Sequence, residues 1–361
     1  MRRGGGEIWD IEMSRALNKM GHNITLYTGK PLSGDISKPS DLPTIKVTSP
    51  FLYDLGYAAP IGVGGLITDI DRQLFITQLR RHLADNYDIV QINGCPETLR
   101  IRNSVECPMT IKLNGPPHSL FYDYIHPTKS SYSWLNQADG IVTNQITAKK
   151  IRAETDINPT VLPPGVDTNR FTPKENSTER PNPSILWVGR YVPVKNLSEL
   201  LDGFNNLRER GINAELVLVG EGPLQSKIKK RAKSYDLKDS IRFEGYIPNN
   251  KLPTYYSEAD IFALSSHHES FGMVLLEAMA CGTPVVAPRI DYIPEIVTDG
   301  QAGLLYEPGS PGDLSDKLRQ LLEDPKRRNE MSQYARKTVT SQFKWEQQAK
   351  KLLDYYERII Q

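Results

Sequence analysis

Two stretches of alternating strand and helix patterns, separated by a proline-rich break, constrain this chain more than any other feature of its sequence. The break is residues 163–183, PPGVDTNRFTPKENSTERPNP, in which five prolines interrupt a segment almost free of periodic apolar residues. Such a segment reads as a linker between two units that pack separately. Before it, the spacing predicts a helix over residues 7–20 closed by Gly21, and strands over 24–27, 89–92, 109–113 and 140–143. Helical patterns over 67–83 and 145–155 lie between them. After the break the alternation restarts, with strands over 184–188, 215–219, 241–243, 261–264 and 284–287. Helices are expected over 197–210, 224–235, 252–257 and 271–280, and a last one over 345–360. Alternation of this kind specifies parallel sheets covered by helices, so the expected fold is α/β, two doubly wound domains.

Composition narrows the function classes. The 361 residues and 39% hydrophobic content suffice for two cores, while 44 Lys+Arg against 43 Asp+Glu leave a net charge of +1. No global field favours nucleic acid, so an anionic ligand has to be met by a few placed cations. Cys95, Cys107 and Cys281 form no CxxC pair, which reads as reduced thiols in a cytoplasmic compartment and excludes a zinc framework. Apolar runs stop well short of 18 residues and the N-terminus lacks the core of a signal peptide, so neither secretion nor a membrane span is expected.

The chemistry concentrates in two places. Gly189 and Arg190 follow the strand SILWV, and Lys195 precedes a helix that Asn196 would cap, with Glu199 three residues on. Two cations at the positive end of a helix make sense around a multiply charged anion such as a diphosphate. They read equally as solvated loop charges. The second place is residues 266–284, SHHESFGMVLLEAMACGTP, where Ser270 would cap a helix and Gly282 end it. Glu269 sits in a loop at the carboxyl end of a strand, and Glu277 lies about two turns into an otherwise apolar helix. A carboxylate so placed is costly unless donors meet it, and a ribose diol supplies two. A neighbouring Arg or Lys would satisfy it as well. The N–H groups of Phe271, Gly272 and Met273 would face a phosphate.

The Glu269…Glu277 run, with Gly189-Arg190…Lys195, Gly220-Glu221-Gly222-Pro223, Gly245-Tyr246-Ile247-Pro248 and Gly282-Thr283-Pro284-Val285-Val286, resembles the nucleotide-sugar domain of retaining glycosyltransferases of family 4. Gly4-Gly5-Gly6-Glu7 is similar to that family's N-terminal glycine loop, and Pro164-Gly165-Val166-Asp167…Phe171 to its interdomain stretch. The resemblance implies a GT-B fold, two facing Rossmann-like domains with a cleft between them. It implies an acceptor domain over 1–165, a linker over 166–183, a donor domain over 184–342, and a last helix over 343–361 that crosses back. It further implies that Arg190 and Lys195 hold the donor diphosphate, that Glu277 binds the ribose hydroxyls, and that Glu269 binds the transferred sugar. By the same resemblance Gly5, Gly6, Gly189, Gly222, Phe271, Gly272 and Met273 border the donor, with Tyr246 and Ile247 beside the base. The expected reaction is metal-independent transfer, with retention, from a nucleotide-diphospho-sugar to a glycan, a lipid-linked glycan or a small molecule, without a cofactor.

Where the family often carries a His, this chain has Asn114, in Asn114-Gly115-Pro116-Pro117-His118. Asn114 can donate and accept hydrogen bonds, and His118 is its alternative at the reaction centre or else a surface residue. Asp69 and Asp71 mimic a metal-binding DxD, but within a helical pattern they share no face. His267 and His268 read as solvated loop residues. The basic runs at residues 80–82 and 229–231 read as solvated faces or, at most, a peripheral membrane contact. A nucleotide-sugar epimerase or a non-catalytic sugar binder shares the architecture, whereas a dehydrogenase lacks support because no GxGxxG joins strand to helix. A strand is also expected before the glycine loop, yet only Met1-Arg2-Arg3 precedes Gly4, which suggests a chain short by about ten residues.

Overall fold

The computed structural model describes residues 5–31, 44–51, 87–93, 96–113, 135–174, 182–269 and 271–361. The chain divides into two compact units, Met1–Pro163 with Trp345–Gln361, and Pro164–Lys344.

In the first unit helix α1 (Gly5–Lys19) leads into strands β1 (Leu26–Pro31) and β2 (Thr44–Phe51), which pair in parallel as a two-stranded sheet. Helix α1 begins earlier than the apolar spacing suggests, so Gly5 and Gly6 form its first turn instead of a loop before it. Strand β1 starts at Leu26, where its pairing with Thr44 begins, two residues beyond the sequence expectation. Its partner β2 contains Pro50, a residue that argues against a strand when the sequence is read alone. The helical pattern over 67–83 lies outside the described residues.

A second parallel sheet, in the order β3-β4-β5-β6, is built from β3 (Val90–Asn93), β4 (Met109–Leu113), β5 (Gly140–Thr143) and β6 (Thr160–Val161). Helix α2 (Gln145–Glu154) links β5 to β6, capped by Asn144, whose side chain accepts from the Thr147 N–H. All five residues of β4 are buried, including Lys112 at 1% exposure. A charge so deep needs compensation. Lys112 Nζ lies 3.1 Å from Asp10 Oδ1 and 4.0 Å above the centre of the Trp9 ring. Burial lowers the lysine's pKa, and the Asp10 charge works against that shift.

The second unit carries strands β7 (Ser184–Val188), β8 (Glu215–Val219), β9 (Ile241–Gly245), β10 (Ile261–Ala263), β11 (Val285–Pro288) and β12 (Gly303–Tyr306). Helices α3 (Leu197–Glu209), α4 (Gln225–Ser234), α5 (Leu252–Glu258), α6 (Met273–Ala280) and α7 (Ile293–Ile296) alternate with them. Helices α8 (Pro311–Glu323) and α9 (Pro325–Gln342) follow, and with β12 they extend the elements expected from sequence. All pairings are parallel, and the spatial order is β12-β11-β10-β7-β8-β9. The order therefore runs outward from β7 in one direction and from β10 in the other, which is the doubly wound arrangement. Its switch point lies between β7 and β10. Strands β7, β10, β11 and β12 are buried along their whole length. Both faces are thus covered, as a parallel sheet requires.

Helix α10 (Trp345–Ile360) belongs to the first unit. Trp345 meets Trp9 edge to face at 6.3 Å, and the Tyr356 hydroxyl donates to Gln91 Oε1 at 2.5 Å. Gly140 permits this approach, since a Cβ there would collide with the Tyr355 hydroxyl. Trp345→Ala is expected to cost about 3–5 kcal/mol, a value typical of emptying a buried indole site. Urea denaturation followed by site-resolved hydrogen exchange checks this: protection should fall in β3, β4 and α1 and stay unchanged in β7 and β8.

Candidate active site

The loops after β7, β8 and β9 are stitched together by their backbones. Gly189 N–H donates to Val219 O at 3.0 Å, Tyr191 N–H to Glu221 O at 3.0 Å, and Gly220 N–H to Gly245 O at 2.7 Å. Glycine is obligatory at Gly220, which has φ +125° and no room for a side chain, because a Cβ would collide with Gly189 O. Gly222 is equally tight, with the Tyr191 backbone oxygen 2.6 Å from the place a Cβ would take. Tyr246 donates its N–H to Glu221 Oε1 at 3.3 Å and is 53% exposed, next to the half-buried Ile247.

Past Gly189, Arg190 is exposed, and no carboxylate among the described residues pairs with it. A short 3-10 turn, Pro193–Lys195, then presents Lys195. Asn196 departs from the expected cap. It adopts φ 42°, in the left-handed region, and its side chain makes no capping bond to the helix backbone; its amide donates to the Glu199 carboxylate instead. The left-handed turn takes the amide away from the helix N–H groups and toward the reciprocal partner Glu199. The other Glu199 oxygen accepts from Gly309 N–H at 3.0 Å, so this carboxylate ties the start of α3 to the loop after β12.

Strand β10 delivers the facing loop. Ser265 Oγ donates to Lys195 O at 2.9 Å and His267 N–H to Val194 O at 2.9 Å, which pins this loop to the one after β7. Glu269 Oε2 accepts from Lys195 Nζ at 2.5 Å and from Ser266 Oγ at 3.4 Å. The backbone N–H of Glu269 donates to Asp291 Oδ2 at 2.8 Å, and His268 Nδ1 lies 2.5 Å from the same oxygen. Both loop histidines are exposed but partnered: the ring of His267 is 3.5 Å from the Asn196 amide. Among the described residues no group of three or more His, Cys, Asp or Glu could hold a metal.

Helix α6 starts at Met273, two residues later than expected. Gly272 takes φ 58° at the N-cap, which turns the chain before the first helical residue, so Phe271 and Gly272 precede the helix and only Met273 opens it. Ser270, the expected cap, lies outside the described residues. About one turn along, Glu277 is 7% exposed and accepts a hydrogen bond from the Tyr256 hydroxyl at 2.8 Å. Its partner is a tyrosine of α5, neither Arg nor Lys, though the charge of Arg170 also bears on it. Burial pushes the Glu277 carboxyl up to about 7, with the Tyr256 hydrogen bond and Arg170 opposing the rise. Burial and the adjacent carboxylate keep Tyr256 a phenol, hence a donor. Among the described residues no donor meets the second Glu277 oxygen, Oε1.

Of the sequence candidates, the fold gathers Gly189, Arg190, Lys195, Gly222, Tyr246, Ile247, Glu269, Phe271, Gly272, Met273 and Glu277 at or just beyond the carboxyl ends of four strands of one sheet. Gly5 and Gly6 belong to the other unit, and Asn114 and His118 lie outside the described residues. Tyr256 and Asp291 escaped the sequence reading: an aromatic on a helix reads as core, and a lone Asp after a strand carries no motif.

Residues 168–338 match the model of the family described as glycosyl transferases group 1. The second unit is a glycosyl transferases group 1 domain. A GDP-mannose-dependent alpha-(1-6)-phosphatidylinositol monomannoside mannosyltransferase of Mycobacterium tuberculosis is 32% identical over 209 residues, 54% of this chain and 54% of that protein. A D-inositol 3-phosphate glycosyltransferase of Corynebacterium jeikeium is 35% identical over 216 residues, 55% of this chain and 51% of its own length. The chain thus spans about half the length of the curated relatives it matches. A sucrose-phosphate synthase structure from Thermosynechococcus elongatus superposes with a TM-score of 0.81 over 99% of this chain and 94% of that one, at 21% identity, which shows the GT-B fold. The group 1 match covers every residue of the stitched loops, both glutamates, Tyr256 and Asp291.

The state of Glu277 makes this group 1 domain pH-sensitive in a calculable direction. Its folded pKa lies above the ordinary glutamate value of 4.5, so between pH 4.5 and about 7 the folded chain keeps a proton that the unfolded chain releases. Stability is lost as pH rises through that window. Glu277→Gln removes the cost and should be more stable than the parent at pH 8 by on the order of 3 kcal/mol, with no difference near pH 4. Urea titrations of the ligand-free protein at both pH values measure it; equal stability at pH 8 would contradict the assignment.

Proposed function

We propose that the chain is a retaining glycosyltransferase that moves a hexose-type sugar from a nucleotide-diphospho-sugar to an acceptor hydroxyl on a glycan, a lipid-linked glycan or a small molecule. The observation that carries this reading is the meeting of Lys195 and Glu269 at the switch point of the sheet, where loops from β7 and β10 face one another. Ligands of doubly wound sheets bind at that crevice. A cation there suits a diphosphate and a carboxylate suits sugar hydroxyls. The Mycobacterium tuberculosis relative is named as GDP-mannose-dependent, which supports a donor of this class.

In this reading Arg190, free of protein carboxylates among the described residues, and Lys195 neutralise the charge that collects on the leaving diphosphate, with the N–H groups of Phe271, Gly272 and Met273 adding donors. No metal is needed for that role. Glu277 Oε1 receives the ribose diol while Tyr256 holds Oε2. Gly189 and Gly222 let backbone approach the phosphates, and Tyr246 with Ile247 flanks the base. Glu269 orients the transferred sugar and is not the nucleophile. The acceptor oxygen attacks the anomeric carbon from the face the diphosphate leaves, the bond to the leaving oxygen breaks, and a diphosphate oxygen takes the acceptor's proton, so configuration is retained. In this reading the first unit binds the acceptor. No helix among the described residues is long and apolar enough to cross a membrane.

Release of nucleoside diphosphate from a panel of nucleotide sugars, with and without acceptors, tests the reading. Acceptor-dependent release is expected. Interconversion of donors without an acceptor would make the protein an epimerase, and binding without turnover a sugar-binding protein. Lys195→Ala and Glu277→Ala should each lower turnover by about 100-fold or more while the fold persists, in line with removal of a group that stabilises the transition state.

A further inference from the structure

We propose that Asp291 is a positioning residue for the transfer reaction, fixing the Glu269 carboxylate in the site by clamping its backbone. The inference rests on the reading of Glu269 as the sugar-binding carboxylate. Asp291 lies between β11 and α7 with φ 46°, one of three non-glycine residues with positive φ among the described residues. That conformation costs an L-residue roughly 1 kcal/mol, and glycine would adopt it freely. What an aspartate adds here is an acceptor. Asp291 Oδ2 takes the Glu269 N–H at 2.8 Å and the His268 Nδ1 at 2.5 Å, a contact that requires the proton on Nδ1.

The clamp closes a chain of constraints across three neighbouring strands. From β11, Asp291 grips the backbone of Glu269; from β10, Ser266 reaches the Glu269 carboxylate; from the loop after β7, Lys195 pairs with that same carboxylate. Glu269 is thereby held at its main chain on one side and at its carboxylate on the other. The two acids have separate partners: Asp291 meets His268 Nδ1 and the Glu269 N–H, and Lys195 pairs with Glu269. Loss of the Asp291 contact would free the Glu269 backbone to swing about the Lys195 contact, and misplacement of about 1 Å at a reacting centre costs on the order of 100-fold in rate.

Two substitutions respect the backbone. Asp291→Gly keeps the left-handed turn and removes the acceptor; Asp291→Asn tolerates the turn and retains a carbonyl oxygen for the Glu269 N–H. With GDP-mannose and UDP-glucose as probe donors, Asp291→Gly should lower kcat about 10- to 100-fold with donor KM within about threefold, because the contacts to diphosphate and ribose are untouched. Asp291→Asn should recover most of the loss. The double variant Glu269→Gln/Asp291→Gly should be no slower than Glu269→Gln alone, since Asp291 acts through Glu269. Independently of turnover, amide exchange of the segment carrying Glu269, measured on the full chain, should accelerate in Asp291→Gly and not in Asp291→Asn. Unchanged exchange, unchanged kcat, or losses that multiply in the double variant would overturn the proposal. If the parent protein turns over no donor, the functional reading fails, while the exchange measurement still decides whether Asp291 clamps the loop.

Discussion

A parallel sheet covered on both faces has nowhere to display chemistry except its ends. In the second unit, Ile185, Leu186 and Trp187 of β7 and Phe262 of β10 are all but inaccessible, and the core beneath them contains large side chains such as Phe204 and Tyr306. Peptide groups along these strands are drawn into the ladder on both sides of β7 and β10, and the side chains into packing. Polar function is therefore displaced to the loops at the carboxyl edge. There the reversal of strand order between β7 and β10 prevents the two connections from running side by side, and a crevice opens. The placement of Lys195 opposite Glu269 follows from that reversal.

The loops need a rigidity that their length alone does not provide, and the protein supplies it by backbone contact. With Gly220 against Gly189, the separation of two chains is set by atoms that have no rotamers. Side-chain clasps then finish the job: Glu199 on the amide of Asn196 and the N–H of Gly309, Ser265 on the carbonyl of Lys195. Three left-handed non-glycine residues among the described residues, Asn196, Asp236 and Asp291, are Asn or Asp, whose short side chains tolerate that conformation best. Two of the three adjoin the groups proposed to meet the donor.

The alternating architecture was legible in the sequence because strands buried on both faces read as short continuous apolar runs, SILWV and ELVLV among them. Residues with an unusual chemistry for their setting were legible too: Glu277 stood out because its helix is otherwise apolar. What escaped depends on contacts between distant segments. Tyr256 satisfies Glu277 from 21 positions away, and Asp291 reaches back 22 positions to Glu269. Neither separation has a local pattern. The failed cap at Asn196 has the same origin, since a left-handed turn imposed by the preceding 3-10 helix overrode a sequence match to a capping box.

Helix α10 gives the chain an unusual order of assembly. Its Trp345 and Tyr356 complete a core whose other members, Trp9 and Gln91, are translated more than 250 residues earlier. The ribosome releases all of the second unit before it releases the helix that finishes the first. The second unit can therefore be fully folded while its predecessor still exposes the apolar face against which α10 packs, and the early unit waits in a state prone to binding chaperones or to aggregation. In chain order, the core of the first unit is the later of the two to receive its last element.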